Sequence, residues 1–201
     1  FDSGIDYNEA GYSVQQTTDN GFILVGRKQY SNSTNINIWL IKTDSIGDTL
    51  WTKTFGGSGS DYAYSVQELT PPLSDGYIIS GYTGSFGNNA WLIRTDENGD
   101  TLWTKTYGGY LIRVVRQTLD NGFILCGTNQ NYGWIIITDS LGNELSNIMV
   151  GGDAIDKFWS MELTSDGGYI ITGYTESFGN GSSDVWLIKT DFKGNTASYG
   201  D

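Results

Sequence analysis

The chain has no histidine, one cysteine, two prolines, and only 11 basic residues against 23 acidic ones. Without histidine it lacks the commonest general base and the commonest metal ligand. A lone Cys126 forms no internal disulfide. It stands where Val25, Ser80 and Thr172 stand in sister segments, and with no imidazole to activate its thiol it reads as a small core side chain. The net charge of −12 repels phosphate backbones and anionic membranes, which argues against nucleic acid as a partner. No apolar run approaches the ~18–20 residues of a membrane-spanning helix, so no membrane span is expected. The sequence opens on Phe1 with no signal peptide, as in a processed protein or an excised fragment. What is plentiful is glycine, 28 residues, and aromatics, 14% of the chain. That mixture suits many short strands joined by tight turns rather than helices.

The strands come in repeats. Trp-Leu-Ile-Lys-Thr-Asp at Trp39–Asp44 recurs at Trp91–Asp96, Trp134–Asp139 and Trp186–Asp191. A glycine-aromatic-aliphatic run begins at Gly21, Gly76, Gly122 and Gly168. Each unit resolves into four candidate strands, which in the first are Tyr12–Thr17, Gly21–Arg27, Ile38–Thr43 and Thr49–Phe55. Ile23-Leu24-Val25 and Trp39-Leu40-Ile41 are apolar at consecutive positions, so the middle strands are expected to bury both faces of their sheet. Asp19-Asn20-Gly21 and Asp120-Asn121-Gly122 read as hairpin turns in which Asn and Gly take positive φ.

A single sheet that is apolar on both faces needs neighbours to cover it. The expected architecture is therefore an all-β propeller of four-stranded antiparallel blades. The blades span approximately 12–55, 64–107, 113–150 and 159–201 of one domain covering 1–201. Residues 1–11 complete the last outer strand and lead into the first blade. A closed four-bladed ring is favoured, because Phe1 resembles the tail of a fourth strand and Thr196–Asp201 the beginning of one. A fragment of a larger ring, or two chains pairing into one, is the alternative.

The consensus reads Gly-aromatic-Ile-Ile-x-Gly-Tyr-Thr-x-Ser-Phe-Gly, then Trp-Leu-Ile-Lys-Thr-Asp-x-x-Gly-Asp-Thr-Leu-Trp-Thr-Lys-Thr-aromatic-Gly-Gly. It resembles the repeats of secreted bacterial and archaeal β-propeller proteins, many of them multidomain, and Tyr82–Gly87 and Tyr174–Gly179 carry the likeness. That resemblance implies an extracellular or cell-surface location. The stretch from the Asp turn to Trp51 and Trp103 also looks like the tryptophan-docking motif of quinoprotein propellers, in which an outer-strand indole packs between blades. Ser146 and Ser198 stand at the matching positions of the other two units. The lone cysteine denies the vicinal disulfide of quinoprotein alcohol dehydrogenases, and no cofactor is expected.

The long loops fall on one face of such a ring and are rich in Asn, Ser, Gly and single aromatics. Ligand-binding candidates there are Tyr30, Asn32, the asparagines flanking Ile36 (Asn35 and Asn37), Phe86, Asn88, Tyr132, Phe178 and Asn180. Phe86 and Phe178 belong to the consensus and are expected to pack their own loops. Gln15, Gln67, Arg116 and Glu162 occupy equivalent inner-strand positions, a candidate channel lining in which Arg116 neutralises Glu162. Asp6, Asp61 and Asp156 precede first strands, while Asp44, Asp96, Asp139 and Asp191 follow third strands. Their spacing suits turn capping as well as calcium, and recurrence in every unit points to structure rather than catalysis, so no metal is expected. The function these features suggest is a non-catalytic secreted or cell-surface interaction module binding a glycan or another protein. Two other readings stay open: a carbohydrate-active hydrolase or lyase with Glu68 or Glu162 at a channel mouth, and an architectural spacer.

Overall fold

The computed structural model describes residues 7–30, 33–71 and 75–196, with the side chains of Tyr7 and Tyr30 outside that set. Those residues form strands and turns, without helix. Sheet 1 holds β1 (Tyr7–Gln16), β2 (Phe22–Tyr30), β3 (Ile36–Thr43) and β4 (Thr49–Phe55) in sequence order. Sheet 2 holds β5 (Asp61–Glu68), β6 (Tyr77–Thr83), β7 (Asn89–Thr95) and β8 (Thr101–Tyr107). Sheet 3 holds β9 (Leu111–Gln117), β10 (Phe123–Asn129), β11 (Tyr132–Thr138) and β12 (Glu144–Val150). Sheet 4 holds β13 (Asp156–Leu163), β14 (Tyr169–Thr175) and β15 (Asp184–Thr190), with one isolated bridge from Thr190 to Thr196. The chain groups into two compact units, Phe1–Leu111 and Ile112–Asp201. The proposed strand joining residues 1–6 to residues 197–201, with Asp6 and Ser198, lies outside the described residues.

Repetition extends to the irregularities. The first strands of sheets 1, 2 and 4 each carry a bulge, between Gly11 and Ser13, Ala63 and Ser65, and Phe158 and Ser160. The third strands slip register between Lys42 and Thr43, Arg94 and Thr95, and Ile137 and Thr138.

Burial across sheets holds each unit together. In the first unit Ile23, Val25, Ile38 and Leu40, on what we term the forward face of sheet 1, pack against the reverse face of sheet 2. That reverse face consists of Ala63, Val66, Tyr77, Ile79, Trp91 and Ile93. In the second unit Ile124, Cys126 and Ile135 pack on Phe158, Met161, Tyr169, Ile171 and Ile188 in the same way. Each fully buried side chain of this size is worth about 1.5–3 kcal/mol. Cys126 is one of them, and burial pushes its thiol up to about 12, which keeps it a neutral packing group.

The Trp51 indole packs against the next sheet. The Trp51 ring centroid lies 6.0 Å from that of Tyr77, and the indole edge covers Gly99 of the next sheet. In sheet 3 the cross-strand pair Lys42–Trp51 is replaced by Ile137–Ser146. There Ile137 and Ile148 close over Gly194 instead, so the apolar contact survives the loss of the indole.

Two expectations are corrected. The middle strands of sheet 4 do not bury both faces: Val185 is 88% exposed and Leu187 65%, while Ile188 between them and the turn is buried. The hairpin glycines also serve a different purpose. Asn20 and Asn121 take positive φ (68° and 67°), whereas Gly21 and Gly122 do not. A Cβ on Gly21 would meet the Thr43 carbonyl oxygen at 2.2 Å, and one on Gly122 the Thr138 oxygen at 2.1 Å. These glycines are required by the close approach of the second strand to the end of the third.

Gly122→Ala is expected to destabilise the chain by about 1–3 kcal/mol, because the opposing atom is backbone and cannot swing aside. Gly108→Ala, whose Cβ meets open space, is expected to stay within about 0.5 kcal/mol of the parent. Urea melts of the two variants check both values.

Candidate functional site

At the long-loop end of each unit a buried aspartate ties the backbone together. Asp61 accepts hydrogen bonds from Thr83 Oγ1 (2.5 Å), Ser85 Oγ (2.6 Å), Ser85 N (3.3 Å) and Gly57 N (3.2 Å). Asp156 repeats the device with Thr175 Oγ1, Ser177 Oγ (2.7 Å) and Gly152 N (2.8 Å). Burial pushes the Asp156 carboxyl up, but these donors outweigh it and leave the group below the usual carboxylate range. The consensus Thr-x-Ser after the second strand is thus the ligand set of the aspartate that opens the first strand.

The loop aromatics sit on this frame. The Phe86 ring meets Trp91 edge-on at 5.3 Å, and Phe178 lies 5.9 Å from Trp186. Gly57 and Gly152 pass beneath the two phenyl rings. Both phenylalanines pack their own loops, although each is about half exposed (52% and 51%). Asn88 takes positive φ (56°) and its Oδ1 accepts the Tyr82 hydroxyl proton at 2.7 Å, so it shapes the turn. Ile36 is buried core, Asn35 and Asn37 are half-buried beside it, and Asn180 is exposed. Tyr132 is partly exposed at the start of β11. The Tyr30 backbone pairs with Tyr7, its side chain is outside the described set, and Asn32 lies outside the described residues.

The inner-strand candidates are sheet-to-sheet staples. Gln15 Oε1 accepts the Glu68 N–H at 2.7 Å, and Ser13 Oγ accepts the Val66 N–H at 3.3 Å. Glu68 in turn accepts Thr18 N (2.8 Å) and Thr18 Oγ1 (3.1 Å). Arg116 donates to Glu162 at 2.8 Å, the neutralisation expected from the sequence. Gln67 is half-buried on β5.

The sequence reading missed what the bulges do. An unpaired bulge residue turns its side chain off the ladder, and the residues at the three bulges are Tyr12, Tyr64 and Trp159. In the first unit Tyr12 starts a continuous strip of rings. Tyr12 lies 5.6 Å from Tyr64, Tyr64 stacks on Tyr62 at 6.4 Å, Tyr62 reaches Tyr82 at 6.4 Å, and Tyr82 reaches Tyr110 at 5.9 Å. Tyr12 and Tyr110, at the two ends, are exposed (43% and 60%), and the three between are half-buried. Desolvation, then the neighbouring Tyr110, Asp61 and Tyr62, raise the Tyr82 phenol above its ordinary range, so Tyr82 stays a neutral hydrogen-bond donor. In the second unit the Arg113 guanidinium lies 3.8 Å from the centre of the Trp159 ring, a cation–π contact.

At the opposite, tight-turn end, the first unit holds a cleft of about 480 Å³ whose lining includes Asp19, Lys42, Trp51, Glu68, Tyr77 and Glu97. Its sheet 1 wall is a salt-bridged turn. Asp19 accepts Thr17 Oγ1 (2.5 Å), Gly21 N (2.9 Å) and Lys42 Nζ (2.8 and 3.0 Å), and Lys42 also reaches the Thr43 carbonyl. In sheet 4 Asp166 and Lys189 reproduce the clamp at 2.9 Å beside a hollow of about 400 Å³. The other recurring aspartates are turn caps. Oδ1 of Asp44, Asp96, Asp139 and Asp191 each accepts the N–H groups two and four residues on, at 2.8–3.0 Å. Among the described residues no three acidic, histidine or cysteine side chains converge on a metal position.

No protein-family model matches this chain, and no curated protein is significantly similar to it.

The Asp19 carboxyl is held down at about 2, from an ordinary 3.8, by the Lys42 bond first, then Thr17 and Gly21. A depressed carboxyl stabilises the fold fully above its unfolded value and loses that contribution as pH falls through its folded value. The parent is therefore expected to lose stability between about pH 4 and about pH 2 more steeply than Asp19→Asn. Urea midpoints of the two proteins across that range measure the difference, which vanishes at the acid end.

Proposed function

We propose that the four sheets are successive blades of a β-propeller and that the module is a non-catalytic, exported or cell-surface binding domain for neutral carbohydrate. Ring closure in such an arrangement brings a covering sheet to the apolar face that sheet 4 leaves bare. The observation that carries the ligand class is the strip of five tyrosines running from the β1 bulge to Tyr110.

Sugar rings have apolar C–H faces and a hydroxyl rim. Tyrosine offers the complement, a flat apolar body with a polar tip, at low conformational cost. Tyr12, Tyr62 and Tyr64 stand on the edge strands β1 and β5 and Tyr82 on the neighbouring β6, with Asn88 fixing the Tyr82 hydroxyl. A net charge of −12 disfavours anionic ligands, including single-stranded nucleic acid, whose binding needs a basic groove beside its stacking rings. The binding reading is favoured over hydrolysis by the engagement of the inner-strand carboxylates. Glu68 is held by Thr18 and Glu162 by Arg116 in the stapling of strands.

Glycan-array screening followed by titration calorimetry tests the reading. Tyr64→Ala and Tyr82→Ala are each expected to weaken binding of a neutral oligosaccharide about fivefold to thirtyfold, at about 1–2 kcal/mol per ring lost. Phe86→Ala is expected to leave binding unchanged. Silence on every neutral glycan, or equal loss from Phe86→Ala, would remove the carbohydrate assignment.

A further inference from the structure

The cleft of about 480 Å³ at the tight-turn end of the first unit is lined by groups that the sister sheets lack. Its carboxylates are Asp19, Glu68, Asp75 and Glu97. Asp19 recurs as Asp120 and Asp166, but the other three acids have no acidic counterpart. Glu68 pairs with the first residue of the second strand, the place of Gln16 in sheet 1 and Leu163 in sheet 4. Asp75 precedes the hairpin glycine, where the other sheets have Asn20, Asn121 and Gly167. Glu97 follows a turn-capping aspartate, where they have Ser45, Ser140 and Phe192. Side chains that recur in every unit serve the fold. Three acids that depart from the repeat and meet in one cleft are not required by it.

Nearby cations offset only part of this charge. Lys42 is 5% exposed and is held by Asp19 and the Thr43 carbonyl. Arg94, its sister residue, is buried and donates to the backbone carbonyls of Thr95 and Asp75. Glu68 accepts Thr18 N and Thr18 Oγ1, neutral donors that position the carboxylate without cancelling its charge.

Tyr77 lines the same cleft. Its side chain is 3% exposed, yet its hydroxyl has no hydrogen-bond partner among the described residues, whereas buried polar groups are normally satisfied. Burial, then Glu68, Asp19 and Glu97, raise the phenol above its ordinary range, which sets the hydroxyl in the field of the cleft's carboxylates. Phe22 and Phe123 hold the same place in sheets 1 and 3, so packing does not demand the hydroxyl. The half-buried Trp51 ring, 6.0 Å from Tyr77, adds an aromatic wall.

We propose that this cleft binds an alkylammonium group, carried by a free amine or by a lysine side chain. The carboxylates supply the charge, Trp51 a cation–π face, and the Tyr77 oxygen an acceptor for an ammonium N–H. A metal ion fits less well, because among the described residues no three acidic side chains converge on one position. An ammonium head on an alkyl stem suits charges spread around a cleft and buries its methylenes on the indole. The volume falls within the range of small-molecule sites, about 300–1,000 Å³, and the net charge of −12 steers cations towards the chain. The inference goes beyond the carbohydrate reading and uses none of the residues of the tyrosine strip.

Titration of the whole chain with n-pentylammonium chloride, followed by amide chemical shifts in about 0.15 M sodium chloride to screen diffuse attraction, tests it. Saturable shifts are expected at Thr18, Gly76 and Asn98, and none in the second unit. Asp75→Asn, Tyr77→Phe and Glu97→Ser each install the residue of a sister sheet, so all three are expected to fold. Each is expected to weaken binding about twofold to fivefold, and the triple variant about tenfold to a hundredfold. Glu176→Gln removes one exposed charge from the second unit and is expected to change nothing. Nα-acetyl-lysine amide as a second probe separates the sources, and either result upholds the inference. Binding as tight as pentylammonium assigns the cleft to a peptide lysine, and much weaker binding assigns it to free amines. Absence of saturable shifts with both probes overturns the inference. So do shifts that added sodium chloride alone reproduces, binding retained by the triple variant, or an equal loss from Glu176→Gln.

Discussion

A four-stranded sheet with aliphatic side chains on both faces has no stable existence in water by itself, and the other features of this chain serve that constraint. Ile23 and Val25 point one way from β2 while Phe22 and Leu24 point the other, so sheet 1 asks for two neighbours. Sheet 2 supplies one of them through Ala63, Val66, Ile79 and Ile93. The glycines at 21 and 122 let the second strand close on the end of the third without a Cβ in the way. The docking indole of Trp51 and the Ile137–Ile148 pair are two chemical answers to one geometric demand, an apolar plug over the turn glycine of the next sheet. That the plug changes identity while the contact persists shows burial, not the indole, to be the conserved quantity within this chain's repeats.

Acidic residues outnumber basic ones two to one, yet the carboxylates with the most defined surroundings face backbone N–H groups. Four cap the turns between third and fourth strands, two anchor the loop ends at Asp61 and Asp156, and Asp19 and Asp166, in the first hairpin turns, hold lysines of the third strands. A carboxylate saturated by hydrogen-bond donors is a poor base and a poor nucleophile, because each donor stabilises the charge that chemistry would have to remove. The same saturation explains why recurring aspartates at turn spacing gather no metal cluster among the described residues: Oδ1 in each cap is directed into its own turn.

Much of the fold was legible because it rests on period and repetition. The strand β4 at Thr49–Phe55, the four-stranded sheets and the Asp-x-x-Gly turns follow from residue spacing alone. The first strand begins five residues earlier than its apolar pattern, at Tyr7, because backbone pairing with β2 continues where side chains no longer alternate. Phe86 and Phe178 were readable as loop packing from their place in the consensus. The tyrosine strip was not readable, because a bulge breaks the two-residue period and sends Tyr12 and Tyr64 to a side that alternation does not assign. A signal was present all the same: Tyr12, Tyr64 and Trp159 are large aromatics at one repeat position that no core cluster includes. The bareness of the sheet 4 face was equally hidden, since Val185 and Leu187 are as apolar as their buried sister positions.

Rigidity sets the bulge aromatics of the first unit apart from rings carried on loops. A ring on a mobile loop loses conformational freedom when a ligand orders it, and that loss subtracts from affinity. Tyr62 and Tyr64 sit on β5, with the adjacent Ser65 and Val66 buried in the junction with sheet 1, so their backbone is already fixed. Neighbouring rings hold the side chains as well, each tyrosine of the strip touching at least one other. The interactions that bury one face of the edge strands thus preorganise what the bulges display on the other, so the rigidity the proposed binding surface needs follows from how the sheets are stapled together.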